Sequence, residues 1–292
     1  MKLLVTGASG LLGTKLCEVA TRKSWEVHSA YVQHKPSYGT PVRFDISDRK
    51  AGEDLFRHVK PEVVVHSAAM TDVDRCESEK ALAWRINVEG TLNIVENCRR
   101  HGAFLVYVST DYVFDGEKGE YKESDAPNPV NYYGLTKLKG EESVKKLETY
   151  CIARGSVVYG ALPASGKANF ALWLLDRLKR GENANVVIDQ WNSPTLNSSL
   201  ARMVCEAVEK RLTGVFHLAG ASRLSRYDFA RSLAEIFNLK TGLIVPVESA
   251  KIPWVARRPR DSSLNVDKAL GTLGNKPLHV VSALNEFKSE IG

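Results

Sequence analysis

The chain has 292 residues, 43% of them hydrophobic and 25% charged, with a formal net charge of +6. That length suits one large domain or two interlocked ones, and the balance is that of an ordinary globule. No apolar run approaches the roughly 18 residues a transmembrane helix requires, and the basic residues are too dispersed for a nucleic-acid stripe, so neither a membrane nor a nucleic acid is an expected partner.

In chain order, the first apolar run is residues 2–5, and Thr6-Gly7-Ala8-Ser9-Gly10-Leu11-Leu12-Gly13 follows it directly. Lys2 and the leucines imitate the start of a secretory signal. Gly7, Gly10, Gly13 and Lys15 interrupt it before an apolar core can form, which predicts a cytoplasmic protein. Strands are expected at residues 2–5, 26–32, 62–67, 104–109 and 150–153. Helical periodicity fills 11–23, 81–101 and 133–147 between them. Strands alternating with helices predict right-handed crossovers and an α/β fold, a doubly wound parallel sheet of Rossmann type. Ligands of such sheets bind beyond the carboxyl ends of the strands. The Gly7 turn, Ser67-Ala68-Ala69 and Ser109-Thr110-Asp111 all fall at those ends.

After Gly160 the pattern loosens, with Gly, Pro, Asn and Ser at 163–166 and 192–199 and an Arg/Pro-rich stretch at 257–260. Residues 214–218 read as a strand that rejoins the main sheet. The expected division is a dinucleotide-binding domain over residues 1–160, rejoined by about 196–220, and a smaller, mainly substrate-binding lobe over 161–292. The five cysteines (Cys17, Cys76, Cys98, Cys151, Cys205) are scattered without a Cys-x-x-Cys pair, so they read as reduced and structural, and no metal ligation is expected.

The glycine turn carries the first chemistry. One glycine permits the tight turn, a second lets the backbone approach a pyrophosphate, and a third lets the helix pack on the sheet, while the helix N-terminus attracts the anion. A nicotinamide dinucleotide is the expected ligand. A site for NAD usually places an acid about 20 residues on, against the ribose 2′-hydroxyl. From Val27 to Thr40 there is none; His28, His34 and Lys35 stand there instead. Lys35 can pair with a 2′-phosphate, so NADPH is expected, with NADH as the second choice. Asp45 and Ile46, at the next strand end, either face the adenine or close a turn.

Tyr133 and Lys137 lie one helical turn apart, and Thr110 precedes them by about twenty residues. A free tyrosine has a pKa near 10 and needs help to exchange protons at neutral pH; an ammonium one turn away favours the phenolate and can also reach a ribose hydroxyl. Thr110 offers a hydroxyl to a substrate carbonyl. This trio predicts an oxidoreductase that protonates an alkoxide.

The chain resembles the extended short-chain dehydrogenases, and within them the dTDP-4-dehydrorhamnose reductases, over almost its whole length. The resemblance rests on residues 6–13, on Thr71-Asp72-Val73-Asp74-Arg75-Cys76-Glu77, and on Ser109-Thr110-Asp111-Tyr112-Val113-Phe114-Asp115-Gly116. It continues in Tyr133-Gly134-Leu135-Thr136-Lys137, Asp189-Gln190-Trp191-Asn192-Ser193-Pro194-Thr195 and Arg257-Arg258-Pro259-Arg260. It implies Thr110, Tyr133 and Lys137 as the catalytic trio. It implies Gly7, Ser9, Gly10, Leu11, Leu12, Gly13, Ser67, Ala68, Ala69 and Asn87 around the cofactor. Thr71, Asp111, Tyr112, Asn169 and Trp191 are implied on the substrate side. Arg258 and Arg260 are expected on the substrate diphosphate, because a guanidinium fork suits phosphate oxygens. The implied substrate is a nucleotide sugar; a homodimer stays open as the assembly. Two residues depart from the pattern: Leu11 stands where many such reductases have Gln, and Val157 where they often have Trp. The signature is also similar to the regulatory β subunit of methionine adenosyltransferase, although residues 72–77 look more like the reductases. A dehydratase or epimerase is a third reading, but dehydratases usually carry Asp-Glu after the threonine, and here Tyr112 follows Asp111.

Overall fold

The computed structural model describes residues 1–162 and 168–292; the turn signal at 163–166 lies outside the described residues. The first half alternates as expected. Its elements are β1 (Lys2–Thr6), α1 (Leu11–Arg22), β2 (Glu26–Tyr31), β3 (Thr40–Arg43), α2 (Arg49–Val59) and β4 (Val63–His66). Then come α3 (Val73–Ser78), α4 (Lys80–Trp84), a π-helical turn (Arg85–Glu89), α5 (Gly90–His101), β5 (Phe104–Thr110), a 3-10 turn (Asp111–Val113), α6 (Tyr132–Val144) and β6 (Tyr150–Gly155). The second half holds β7 (Val158–Tyr159), α7 (Phe170–Lys179), β8 (Ala184–Val187), β9 (Trp191–Asn192), β10 (Thr195–Leu196), α8 (Asn197–Glu209) and β11 (Gly214–His217). It ends in β12 (Leu224–Ser225), α9 (Arg226–Ile236), β13 (Ile244–Val247), α10 (Asp267–Thr272) and α11 (Val280–Ile291).

Seven strands form one parallel sheet in the order β11-β6-β5-β4-β1-β2-β3. Its central strands are apolar on both faces, as a sheet covered on both sides demands. Leu3, Val5, Val63, Val65 and Val106 pack towards one face with Leu16 of α1 and Met203 of α8. Leu4, Val64, Leu105 and Tyr107 pack towards the other with Phe56 of α2 and Ile94 of α5. The chain leaves β1 for β2 on one side, while β4 lies on its other side. That reversal opens a crevice at the carboxyl ends of β1 and β4. Beyond the sheet, α7, α9 and α11 enclose a separate apolar cluster that includes Leu174, Phe229, Leu233 and Phe287.

The expected helix over 81–101 is broken. Asn87 sits on the π-turn and turns its side chain inward, accepting from the Met70 N–H (2.8 Å) and donating to the Met70 carbonyl (3.0 Å) and Thr136 Oγ1 (3.0 Å). Gly90 continues the accommodation, since a Cβ there would meet Ile46 at 2.8 Å. Such π-turns trade regular ladder bonds for the aim of one side chain, and they recur at functional sites.

Candidate active site

The glycine turn is built by steric necessity. Gly7 has φ +70°, and a Cβ on it would meet the Ala68 backbone at 2.8 Å, so the turn after β1 presses on the turn after β4. A Cβ on Gly13 would overlap the Gly7 carbonyl oxygen. Gly10 heads α1 with no side-chain cap, which leaves the first-turn N–H groups directed at the crevice for an anion. Leu12 is buried; Leu11 is half-buried and its carbonyl accepts from Asn197 (2.9 Å). Ser67 Oγ donates to the Thr6 carbonyl (2.7 Å), which fixes the Ser67-Ala68-Ala69 segment against β1. His34 and Lys35 are exposed on the loop after β2. Ile46 is buried under Gly90, whereas Asp45 is exposed and accepts from Ser47 N and Oγ (2.9 and 2.8 Å), closing the turn into α2.

Thr110 ends β5, and Tyr133 and Lys137 lie on the first turns of α6. Two close approaches bring these elements together. A Cβ on Gly134 would overlap the Tyr112 carbonyl oxygen, and one on Gly140 would overlap the Tyr107 hydroxyl. Asn131 caps α6 by accepting from Gly134 N (2.8 Å), and its amide donates to the Arg257 carbonyl (2.9 Å). Burial pushes the pKa of the Tyr133 phenol well above the usual tyrosine value, and the neighbouring Thr110 hydroxyl works against that shift. Lys137 is buried; its ammonium donates to the Val108 carbonyl (2.8 Å) and lies 4.1 Å from the centre of the Tyr107 ring. Burial lowers its pKa to about 7, partly opposed by Glu141 one turn on. The expected charge on the phenol is therefore corrected: the ammonium is drawn towards β5, and desolvation governs Tyr133.

The substrate-side residues divide. Tyr112 packs edge-on against Tyr133 (6.0 Å between ring centres), and the nearby Arg226 charge works against the rise in its pKa that burial causes. Trp191, on β9, lies under two arginines, with Arg223 at 5.4 Å and Arg260 at 5.8 Å from the ring centre. Thr71 is exposed at the head of the segment leading to α3. Three assignments shift. Arg258 is occupied by Asp74 through two bonds (3.0 and 2.9 Å), and the same carboxylate accepts from the backbone of Val255 and Ala256. Asn169 caps α7, accepting from Leu172 N (3.3 Å) and donating to the Gly160 carbonyl (2.8 Å). Asp111 is buried, with both oxygens taken by hydroxyl groups of the protein. Val157, which departs from the reductase pattern, has φ +38°, a strained conformation for a β-branched residue.

Sequence reasoning passed over four residues near the site. Arg226 and Arg223 belong to no motif. Glu141 and Arg154 form a buried bidentate pair (2.8 and 2.7 Å), and Ser109 Oγ also donates to Glu141 (2.6 Å), directly behind Thr110. The Tyr-x-x-x-Lys spacing extended by one turn reaches Glu141, and that was the available signal.

This fold and this site define an NAD(P)-dependent oxidoreductase of the extended short-chain dehydrogenase class. More narrowly, the chain belongs to the RmlD substrate binding domain family, which it matches over residues 1–291. It is similar to a hypothetical dTDP-4-dehydrorhamnose reductase from Sulfolobus tokodaii, with 37% identity and a TM-score of 0.87 over 95% of this chain and 97% of that one. It is also similar to dTDP-4-dehydrorhamnose reductase from Bacillus anthracis in complex with NADP, with 31% identity and a TM-score of 0.88 over 99% and 100%. Methionine adenosyltransferase 2 subunit beta from Bos taurus is 30% identical over 94% of this chain and 82% of its own length. Among the described residues, no helix is long and apolar enough to cross a membrane.

Proposed function

We propose that the protein reduces the C4 carbonyl of a 4-dehydro-6-deoxy nucleotide sugar, dTDP-4-dehydrorhamnose foremost, at the expense of NADPH. The observation that carries this reading is the Tyr133 phenol, kept protonated by burial, on the helix that follows β5 and Thr110, at the same carboxyl end of the sheet as the glycine turn.

The residues present suit the dinucleotide. Gly7 and Gly13 leave room where any Cβ would clash, Gly10 packs its backbone closely on the Gly7 carbonyl, and the uncapped start of α1 favours a pyrophosphate. Ser9, Leu11 and Leu12 would line the same turn. Lys35 and His34 would face a 2′-phosphate, Ile46 and Asp45 the adenine side, Ser67, Ala68, Ala69 and Asn87 the groove, and Lys137 a ribose hydroxyl. When bound, the cofactor supplies a hydride to the carbonyl carbon. Tyr133 holds the proton that the resulting alkoxide takes. Tyr112, Trp191, Arg226 and Arg260 would hold the nucleotide sugar, the guanidinium groups suiting its diphosphate.

Oxidation of NADPH on adding dTDP-4-dehydrorhamnose tests the reading. Tyr133→Phe keeps the ring but loses the proton, so kcat should fall by about 10²–10⁴, the usual worth of a general acid, with NADPH affinity retained. Lys35→Ala should weaken NADPH binding and spare NADH; equal affinity of the wild type for both cofactors would count against the 2′-phosphate assignment. A wild type that binds NADPH but oxidises it with no 4-dehydro nucleotide sugar would favour a cofactor-binding regulatory role instead.

A further inference from the structure

Residues 72–77, which the reductase reading leaves without a role, tie two parts of the site together through α3. Asp72 caps this helix, accepting from Arg75 N at 3.0 Å. Cys76 is buried in a cluster with Met70 and Ala83, against which Tyr132 and Tyr133 pack. The carboxylates on either side of Cys76 reach further. Asp74 Oδ1 accepts from Val255 N (3.1 Å) and Ala256 N (2.9 Å), and its two oxygens take the Arg258 guanidinium (3.0 and 2.9 Å). Glu77 Oε2 accepts from Tyr132 N at 3.0 Å. That is the first N–H of α6, one that no carbonyl within the helix can satisfy, and a carboxylate suits the positive end of a helix. Three residues apart, Asp74 and Glu77 are neighbours on one side of α3.

The strap that Asp74 holds runs on to the substrate side. The Asn131 amide, at the cap of α6, donates to the Arg257 carbonyl (2.9 Å). Pro259 fixes its own φ, and the strap lies against Gly116, where a Cβ would meet Arg260 N at 2.6 Å. The Arg260 carbonyl accepts from Trp191 N (2.8 Å), and its guanidinium lies over the Trp191 ring. We propose that Asp74 and Glu77 are positioning residues. Through them α3 sets the strap that carries Arg260 against the first turn of α6, so that a diphosphate gripped at Arg260 brings its sugar to the Tyr133 phenol. This rests on the reductase reading above. The two jaws divide the work: Asp74 governs the grip on the diphosphate, and Glu77 the placement of the acid. Their side chains are 34% and 25% exposed, so removing either opens no large cavity.

Calorimetric titration with dTDP, which carries the diphosphate without the sugar, reads the strap, and amide hydrogen exchange reads its bonds. Asp74→Ala should weaken dTDP binding by about tenfold, the order of one hydrogen bond to a charged group. It should also speed exchange of the Val255 and Ala256 N–H groups while NADPH affinity is retained. Added to Arg260→Ala, Asp74→Ala should weaken dTDP little further, because the effect runs through Arg260. Unchanged dTDP affinity, equal losses with and without Arg260, or NADPH affinity falling in step would overturn the proposal. Where Asp74→Ala does not fold, Asp74→Asn keeps an oxygen for the two N–H groups and loses the Arg258 pair; unmoved dTDP affinity there overturns it too. Glu77→Ala should lower kcat by about tenfold or more, as small misplacements of a reacting group do, with dTDP affinity retained. Glu77→Gln, which keeps an oxygen for the Tyr132 N–H, should restore most of that loss. An unmoved kcat in Glu77→Ala, or a glutamine variant as poor as the alanine one, refutes the second jaw. A wild type that turns over no 4-dehydro nucleotide sugar would sink the reductase reading, while dTDP affinity and amide exchange, which need no turnover, still judge Asp74.

Discussion

Replacing Lys137 with methionine should stabilise the fold while abolishing most of the activity. Lys137 is 3% exposed, and its ammonium has one hydrogen bond, to Val108, and one aromatic ring beneath it. Glu141, one turn on, is the carboxylate that favours the charge, but its oxygens are already held by Ser109 and Arg154. The fall from 10.5 to about 7 is caused by burial and corresponds to roughly 5 kcal/mol against the charged form. Below pH 7 the lysine is charged in both the folded and unfolded chains, so folding bears the whole cost. Between about 7 and 10.5 the folded protein releases the proton first, so stability contributed at this site rises with pH through that window. Methionine removes the charge but cannot bond the Val108 carbonyl, a loss of about 1–1.5 kcal/mol. The net gain at pH 6 is then about 3 kcal/mol, or very roughly 6–12 °C in Tm for a chain of this size, and it shrinks to about a third of that by pH 9. Calorimetric melting of both proteins from pH 6 to pH 9 measures it. A methionine variant less stable at pH 6, or a difference that does not change with pH, would refute the reasoning.

Glu141→Gln should destabilise the protein by about 3–5 kcal/mol in denaturant unfolding, because Arg154, 1% exposed, loses its bidentate partner in a dry interior; replacing both residues by apolar ones of similar size should cost much less. Arg260→Ala should raise KM for the nucleotide sugar by roughly 10- to 100-fold, the worth of a hydrogen bond to a charged group, and an unchanged KM would remove Arg260 from the diphosphate site. Arg258→Ala should instead cost less stability than Asp74→Ala, whose carboxylate also holds the Val255 and Ala256 N–H groups, and in denaturant unfolding the double variant should be little worse than Asp74→Ala alone, since the Arg258 ion pair is already gone there. Fully additive losses in that pair would refute the shared contact.

Much of the architecture was legible because its signals are local. Runs such as Val63-Val64-Val65 between turn residues read as buried strands, and they are the centre of the sheet. The glycine turn was legible because backbone clearance is set by residue type: positions 7 and 13 tolerate no Cβ. The spacing of Tyr133 and Lys137 placed them on adjacent turns of one helix, as a 3.6-residue period requires. What spacing could not supply was direction. It put the ammonium beside the phenol, while the interior of β5 offered it a carbonyl and a ring instead.

The sequence alone therefore determined the strand–helix alternation of the first half, the glycine turn and the candidate acid. The tertiary structure decided which charges are free to meet a ligand. Arg258 reads as a phosphate ligand until the fold brings Asp74, 184 residues away, against it. Asp111 reads as a substrate contact until Ser156 and Ser262 close over its carboxylate. Asn87 reads as one residue of a long helix until Met70 and Thr136 open a π-turn around it. Helical and strand periods come from neighbours within a few residues, so they are written in the chain. These partners are set by how the layers pack, and packing distance leaves no period in the sequence to read.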